Sequence, residues 1–224
     1  MKRAFFSALK VLLILAIPPF LLLTNIDLLT SSAFVRYEYG RADLPPAARF
    51  SPEERLSVAE KAVLYLRSDA GIELLGELKD EKGPLFREKE LTHMIDVKAL
   101  WQRAFAWQRI LGVSIILLLP PLLLRRETRR SVPFCLVWGS LLTLILPLLI
   151  VIPAYLNFDW FFTRFHQLFF AEGSWIFDYS DTLIQLFPLR FWFDAFRALA
   201  LLTVGEAVLL GVAMFWCHKS IRGG

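Results

Sequence analysis

Residues 105–156, FAWQRILGVSIILLLPPLLLRRETRRSVPFCLVWGSLLTLILPLLIVIPAYL, decide the fold. Two apolar runs, 105–124 and 132–156, flank a short turn carrying Arg125, Arg126, Arg129 and Arg130. Each run has the ~20 mostly apolar residues that a helix needs to cross a bilayer. The turn is too short for a domain and densely cationic, which the positive-inside rule assigns to the cytoplasm. The stretch reads as a hairpin of two membrane helices.

Working outward, two further runs are long enough to span, 11–29 and 195–216. The whole chain is 56% hydrophobic, against roughly 45–50% for a soluble domain. Lys2, Arg3 and Lys10 precede the first run, and His218, Lys219 and Arg222 follow the last. With four spans these clusters share the side of the arginine turn, so the net charge of +4 is explained by orientation. A nucleic-acid partner would need a basic face on a folded soluble domain, which this distribution excludes. The first run exceeds the 7–15 apolar residues of a signal-peptide core and carries Asn25 and Asp27, so a retained helix is expected.

The expected fold is all-α and integral to the membrane, with four transmembrane helices and a small helical extracytoplasmic cap. In chain order it consists of helix 1 (1–30), an outer segment (31–104), helix 2 (105–124), a cytoplasmic loop (125–131) and helix 3 (132–156). An aromatic interfacial segment (157–194), helix 4 (195–217) and a cytoplasmic tail (218–224) follow. The pairs Pro18–Pro19 and Pro120–Pro121 predict kinks in helices 1 and 2.

In the first outer segment Ser51-Pro52-Glu53-Glu54 is a helix start, with a Ser cap, Pro in the first turn and acids behind it. Leu56, Ala59, Val63 and Leu66 then recur at helical spacing. Glycines and the Asp80–Pro84 stretch break the chain, and a second helix is expected from near Leu85 through Trp101 into helix 2. The second outer segment is crowded with aromatics, among them Phe158, Trp160, Phe161, Phe162, Phe165, Phe169, Phe170, Trp175 and Phe177. Such density suits the headgroup level, either as a plain aromatic belt or as the floor of a site. Cys135 and Cys217 fall near the inner face, where a disulfide is disfavoured and a thiol cannot serve outer-face chemistry.

Among the three histidines, His218 lies at an inner helix end. His93 and His166 lie one in each outer segment, with carboxylates near both. Asp96 follows His93 by three residues, a spacing that lets the two touch on a helix. An imidazole oriented by a carboxylate is a usual setting for acid–base work near neutral pH, although two headgroup-bound interfacial histidines would read the same way. A His/carboxylate metal shell lacks any HExxH or Cys-containing spacing, and no G-x-S-x-G elbow is present. No metal and no cofactor are expected. Glu206, deep in helix 4, needs a partner, for which Arg109 is a candidate.

Two stretches carry a family resemblance. Residues 87–98, REKELTHMIDVK, are similar to the Glu…His…Asp-Val-Lys signature of the lipoprotein intramolecular transacylases, known as Lit. Residues 165–188, FHQLFFAEGSWIFDYSDTLIQLFP, resemble the same family's Phe-His…Phe-Phe…Trp…Asp-Thr-Leu-Ile…Phe-Pro block. The resemblance implies a bacterial cytoplasmic-membrane enzyme, multi-pass, with its site on the extracytoplasmic face. Its substrate would be a diacylglyceryl lipoprotein whose sn-2 acyl chain moves to the N-terminal Cys α-amine, leaving the lyso-form. For that reaction the expected assignment is His166 as general base and His93, oriented by Asp96, as acid or oxyanion stabiliser, or the two roles reversed. Glu90, Glu172, Asp178 and Asp181 would hold the α-ammonium, and Phe169, Phe170 and Trp175 would line the acyl region. Membrane lipids are the expected surroundings and a monomer the expected state. The alternatives are an ester hydrolase using the same histidines on water, or a non-enzymatic lipid sensor or scaffold.

Overall fold

The structure, a computed structural model, describes residues 2–223; Met1 and Gly224, and with them the ends of the first and last expected segments, lie outside these residues, as does the Arg222 side chain. In chain order the helices are α1 (Lys2–Leu29), α2 (Ser32–Tyr39), α3 (Pro52–Arg67) and α4 (Glu73–Gly76). The two-residue strands β1 (Lys79–Asp80) and β2 (Gly83–Pro84) pair antiparallel. Then come α5 (Glu88–Leu123), α6 (Arg126–Arg129), α7 (Val132–Thr143), α8 (Ile145–Leu156), α9 (Phe158–Phe169), α10 (Thr182–Leu186) and α11 (Leu189–Gly223). Four helical stretches, Lys2–Leu29, Glu88–Leu123, Arg126–Leu156 and Leu189–Ser220, are long and apolar enough to cross a bilayer. This is an all-α, four-span membrane protein.

α1 continues through Pro18 and Pro19, and Pro120 and Pro121 sit in the last turn of α5 rather than in its middle. The interruption falls in the third span, between Thr143 and Ile145. Pro147 has no N–H to give the Thr143 carbonyl, which is the bond that would carry the helix across this point. The uninterrupted apolar stretch of α5 lies from Ile110 on, while residues 88–103 carry Glu88, Lys89, Glu90, Asp96, Lys98 and Arg103.

The chain divides into two compact units. The first comprises Met1–Ile26, Phe105–Ile152 and Arg197–Gly224. Its buried core gathers Leu13, Leu122, Val132 and Cys135. Gly139 lets α7 approach α1, since a Cβ there would meet Ile17 Cδ1 at 2.5 Å. A polar node lies within this apolar unit. The Asn25 amide donates to Thr203 Oγ1 (3.1 Å) and Glu206 Oε2 (2.8 Å). Glu206 thus finds its partner in Asn25, while Arg109 is exposed and bonded to neither. The two cysteines are free and both belong to this unit.

The second unit comprises Asp27–Ala104 and Pro153–Phe196. α3 starts as its sequence dictates. Ser51 Oγ accepts the Glu54 N–H while Glu54 accepts the Ser51 N–H, a reciprocal capping box. Its buried face is wider than the spacing of Leu56, Ala59, Val63 and Leu66 indicates, taking in Arg55, Val58, Ala62 and Tyr65. Arg55 is tolerated there because its guanidinium lies 4.8 Å from the Tyr39 ring centroid and donates to the Pro45 carbonyl (2.7 Å). Tyr39 in turn donates to the Leu186 carbonyl (2.7 Å), tying α2 to the end of α10.

Candidate active site

The site is assembled within the second unit from the first turns of α5, the last turn of α9 and the loop that follows α9. α5 begins at a carboxylate. Glu90, fully buried, accepts the Arg87 N–H (2.9 Å) in the manner of an N-terminal cap and the Leu183 N–H of α10 (2.7 Å). Thr182 Oγ1 donates to the Leu85 carbonyl beside it, and Arg87 pairs with Asp181 (2.8 Å). These bonds hold the chain around residue 182 against the start of α5, so the intervening loop arches over His93.

α9 is capped by Asn157, whose side chain accepts the Trp160 N–H (2.9 Å). His166 stands in its last turn, and its Nδ1 donates to the Phe162 carbonyl at 2.8 Å. A carbonyl only accepts, so this bond fixes the proton on Nδ1 and leaves Nε2 with its lone pair. Phe170 leaves the helix in extended conformation, and Gly173, at φ +76°, turns the chain in a region that side-chain-bearing residues rarely adopt.

The two imidazoles meet. Their ring centroids are 6.2 Å apart with planes inclined by 26°, and the residues are only 8% (His93) and 9% (His166) exposed. Phe170 packs on both, at 4.9 Å from His93 and 5.6 Å from His166. Trp175 lies 4.9 Å from His166 and Phe177 5.3 Å from His93, while Phe162 packs on His166 at 4.1 Å. Lys89 fixes the loop from the side, donating to the Ile176 carbonyl and sitting 5.4 Å from the Phe177 ring centroid.

This aromatic jacket sets the electrostatics. Burial, with a smaller contribution from His166, pushes His93 down to about 4. Burial also lowers His166, against an opposing pull from its bond to the Phe162 carbonyl. Both rings are neutral at pH 7. Two polar atoms of the cluster, His93 Nδ1 and Trp175 Nε1, are buried and have no hydrogen-bond partner among the described residues.

The remaining candidates divide. Asp96 is exposed and does not reach His93, since residues three apart on a helix are offset by about 60° around its axis and His93 turns inward. Glu90 and Asp181 are buried with oxygens engaged by backbone N–H groups, Asp181 accepting from Asp178 (2.8 Å). Burial is the main influence on Glu90 and raises its pKa, the two N–H bonds notwithstanding. Glu172 and Asp178 are exposed. Phe169 is exposed and packs on Phe165 rather than on either histidine. Phe162, Phe177, Lys89 and Arg87 are site residues that the sequence did not single out. For Phe162 a signal existed, because a helix through His166 places the carbonyl four residues back within reach of its ring. No group of three or more His, Cys, Asp or Glu side chains able to hold a metal ion occurs among the described residues.

A family model described as "Lipoprotein intramolecular transacylase Lit" matches residues 11–192. An uncharacterized protein of Aquifex aeolicus (strain VF5) is 30% identical over 195 residues, covering 86% of this chain and 87% of its own. The membrane-integral lipoprotein intramolecular transacylase Lit from Bacillus cereus superposes with a TM-score of 0.84 at 20% identity, covering 99% of each chain. A variant of that protein with one histidine replaced by alanine superposes at 0.78 and 19% identity, over 100% of this chain and 98% of the other.

Proposed function

We propose, from the premise that this chain belongs to the lipoprotein intramolecular transacylase family and is a membrane acyltransferase, a reaction in which the acyl group never leaves its own substrate molecule. The substrate is a diacylglyceryl lipoprotein with a free N-terminal Cys amine. The sn-2 chain passes from glycerol oxygen to that nitrogen and the lyso-form results. The observation that carries the reading is the pair of neutral, enclosed imidazoles 6.2 Å apart, contributed by α5 and α9.

Nucleophile and electrophile belong to one molecule, and the nitrogen reaches the ester carbon through roughly an eight-membered ring, so orientation supplies most of the acceleration. The neutral amine attacks, the C–N bond forms and the carbonyl pair moves onto oxygen. His166 Nε2, left basic by the Nδ1 bond to Phe162, takes the proton from nitrogen. When the ester C–O bond breaks, the same proton passes to the departing glycerol oxygen, and the ledger closes without an acyl-enzyme. His93, held neutral by burial, suits a hydrogen-bond donor to the oxyanion better than a proton donor. Glu172 and Asp178, exposed near the loop, are the carboxylates with oxygens free to receive the α-ammonium before deprotonation. Phe170 and Trp175 wall the reacting ester, and Phe169 extends an apolar edge toward the acyl chain.

In this reading the histidines face the extracytoplasmic side of a bacterial cytoplasmic membrane. The arginines of residues 125–130 supply the orientation. A single copy of the chain supplies every group named, so a monomer suffices for the proposed reaction.

The test is product analysis by mass spectrometry on a diacylglyceryl lipopeptide in nanodiscs. The wild type yields N-acylated, monoacylglyceryl peptide, and His166→Ala yields none. Free fatty acid in place of N-acyl product would make the protein a hydrolase, and full conversion by His166→Ala would remove the base from its role.

A further inference from the structure

We infer that Trp175 is a catalytic residue, its indole N–H forming, with His93, the donor pair that stabilises the oxyanion of the tetrahedral intermediate. This rests on the transacylase reading and assigns to Trp175 more than the lining of an acyl region.

Indole Nε1–H only donates; it neither accepts nor titrates in the accessible range. Burying it without an acceptor leaves its desolvation uncompensated, and structures retain such groups rarely and for a reason. Trp175 Nε1 is buried and unpartnered among the described residues. Its ring is no distant core residue. It lies 4.9 Å from His166 with planes inclined by 33°, in direct contact with the proposed base. The second unpartnered buried polar atom of the cluster, His93 Nδ1, belongs to the imidazole 6.2 Å from His166. The proposed base is therefore flanked by two rings that each carry a desolvated polar atom with no hydrogen-bond partner among the described residues.

That is the arrangement an acyl transfer needs. The carbonyl oxygen gains charge as nitrogen attacks, and preorganised donors in a water-poor site stabilise it without reorganising. The backbone on either side of Trp175 is braced before substrate arrives, by the Ser174 N–H bond to the Ala171 carbonyl (3.2 Å) and by Lys89 on the Ile176 carbonyl. The chemistry balances without it. Trp175 gives a hydrogen bond while C–N forms and withdraws it when C–O breaks, with the amine proton carried by His166 throughout.

The experiment replaces Trp175 with β-(3-benzothienyl)alanine, which keeps the bicyclic shape and exchanges N–H for sulfur, alongside Trp175→Phe. Both are assayed in nanodiscs on a diacylglyceryl lipopeptide. The isostere is expected to lower kcat on the order of 10²-fold with KM within about threefold, and Trp175→Phe at least as far. A kcat within threefold of wild type, or a raised KM at unchanged kcat, overturns the assignment and leaves Trp175 as wall. Should Trp175→Phe fail to fold, the isostere alone decides. A wild type that forms no N-acylated product would instead sink the transacylase reading, so the two failures are distinguishable.

Discussion

Acidification separates the contribution of His93 from everything else in the fold. Its imidazole titrates near 4 in the folded chain and near 6.5 when free of the aromatic jacket. The sign follows from which state holds the proton. Between those values the unfolded chain carries it and the folded chain does not, so stability is full above about 6.5 and is lost as pH falls toward 4. The loss from this residue is about 3 kcal/mol, which for a chain of this size lowers Tm by roughly 6–12 °C. Other groups also change their proton affinity on folding, Glu38 among them, raised chiefly by burial and next by Asp194. The measurement is therefore a difference. Thermal unfolding of wild type and His93→Leu in the same detergent is followed from pH 7 to pH 4. The wild type should lose several degrees more than the variant. Parallel curves would refute the reasoning, because they would mean that His93 gains its proton as easily inside the fold as outside it.

The other predictions concern carboxylates. Asp96→Asn should leave kcat and KM within threefold of wild type, measured by conversion of the lipopeptide, since Asp96 is exposed and does not touch His93. Glu90→Ala strands the buried N–H of Leu183, removes the acceptor of the part-buried Arg87 N–H and should cost about 2–3 kcal/mol. A Tm change below 2 °C would show that these bonds contribute nothing net. Glu90→Gln, which keeps one acceptor oxygen, should fall between.

The four spans were legible because the bilayer imposes its requirement on contiguous residues, and runs such as 132–156 meet it without help from the rest of the chain. α3 was legible for the same reason at smaller scale, with Ser51, Pro52 and Glu54 specifying its start locally. The site depends on separations that no local rule encodes. Leu183, which completes the anchoring of α5, lies 93 residues from Glu90. His93 and His166 were joined through family resemblance, since periodicity says nothing about which helix faces which. Asp96 shows how spacing misleads. Residues three apart are neighbours on a helix surface, but a ring turned into the core and a carboxylate turned to water do not meet. The break at Leu144 was hidden by composition, because an apolar run reads alike whether or not one proline removes a bond.

The enclosure of the histidines also bears on why such a site favours one acceptor over another. Water competes for any activated ester, and a base able to deprotonate an amine also serves water. Nothing in the chemistry of His166 distinguishes the two. The distinction has to come from geometry and exclusion: Phe162, Phe170, Trp175 and Phe177 leave the imidazoles almost without solvent contact. An amine tethered to the ester reaches the carbonyl at an effective concentration of about 10⁵ M or more when well oriented, while water must enter against apolar walls. The cost of those walls is the depressed basicity of both rings. For His166 in its proposed role that cost is tolerable, because the lowering favours the neutral ring, which is the form a base needs. Its bond to the Phe162 carbonyl restores part of the lost proton affinity while aiming Nε2 away from the helix. On the proposed reading, burial and that single carbonyl together keep His166 Nε2 open to an amine and scarcely accessible to water.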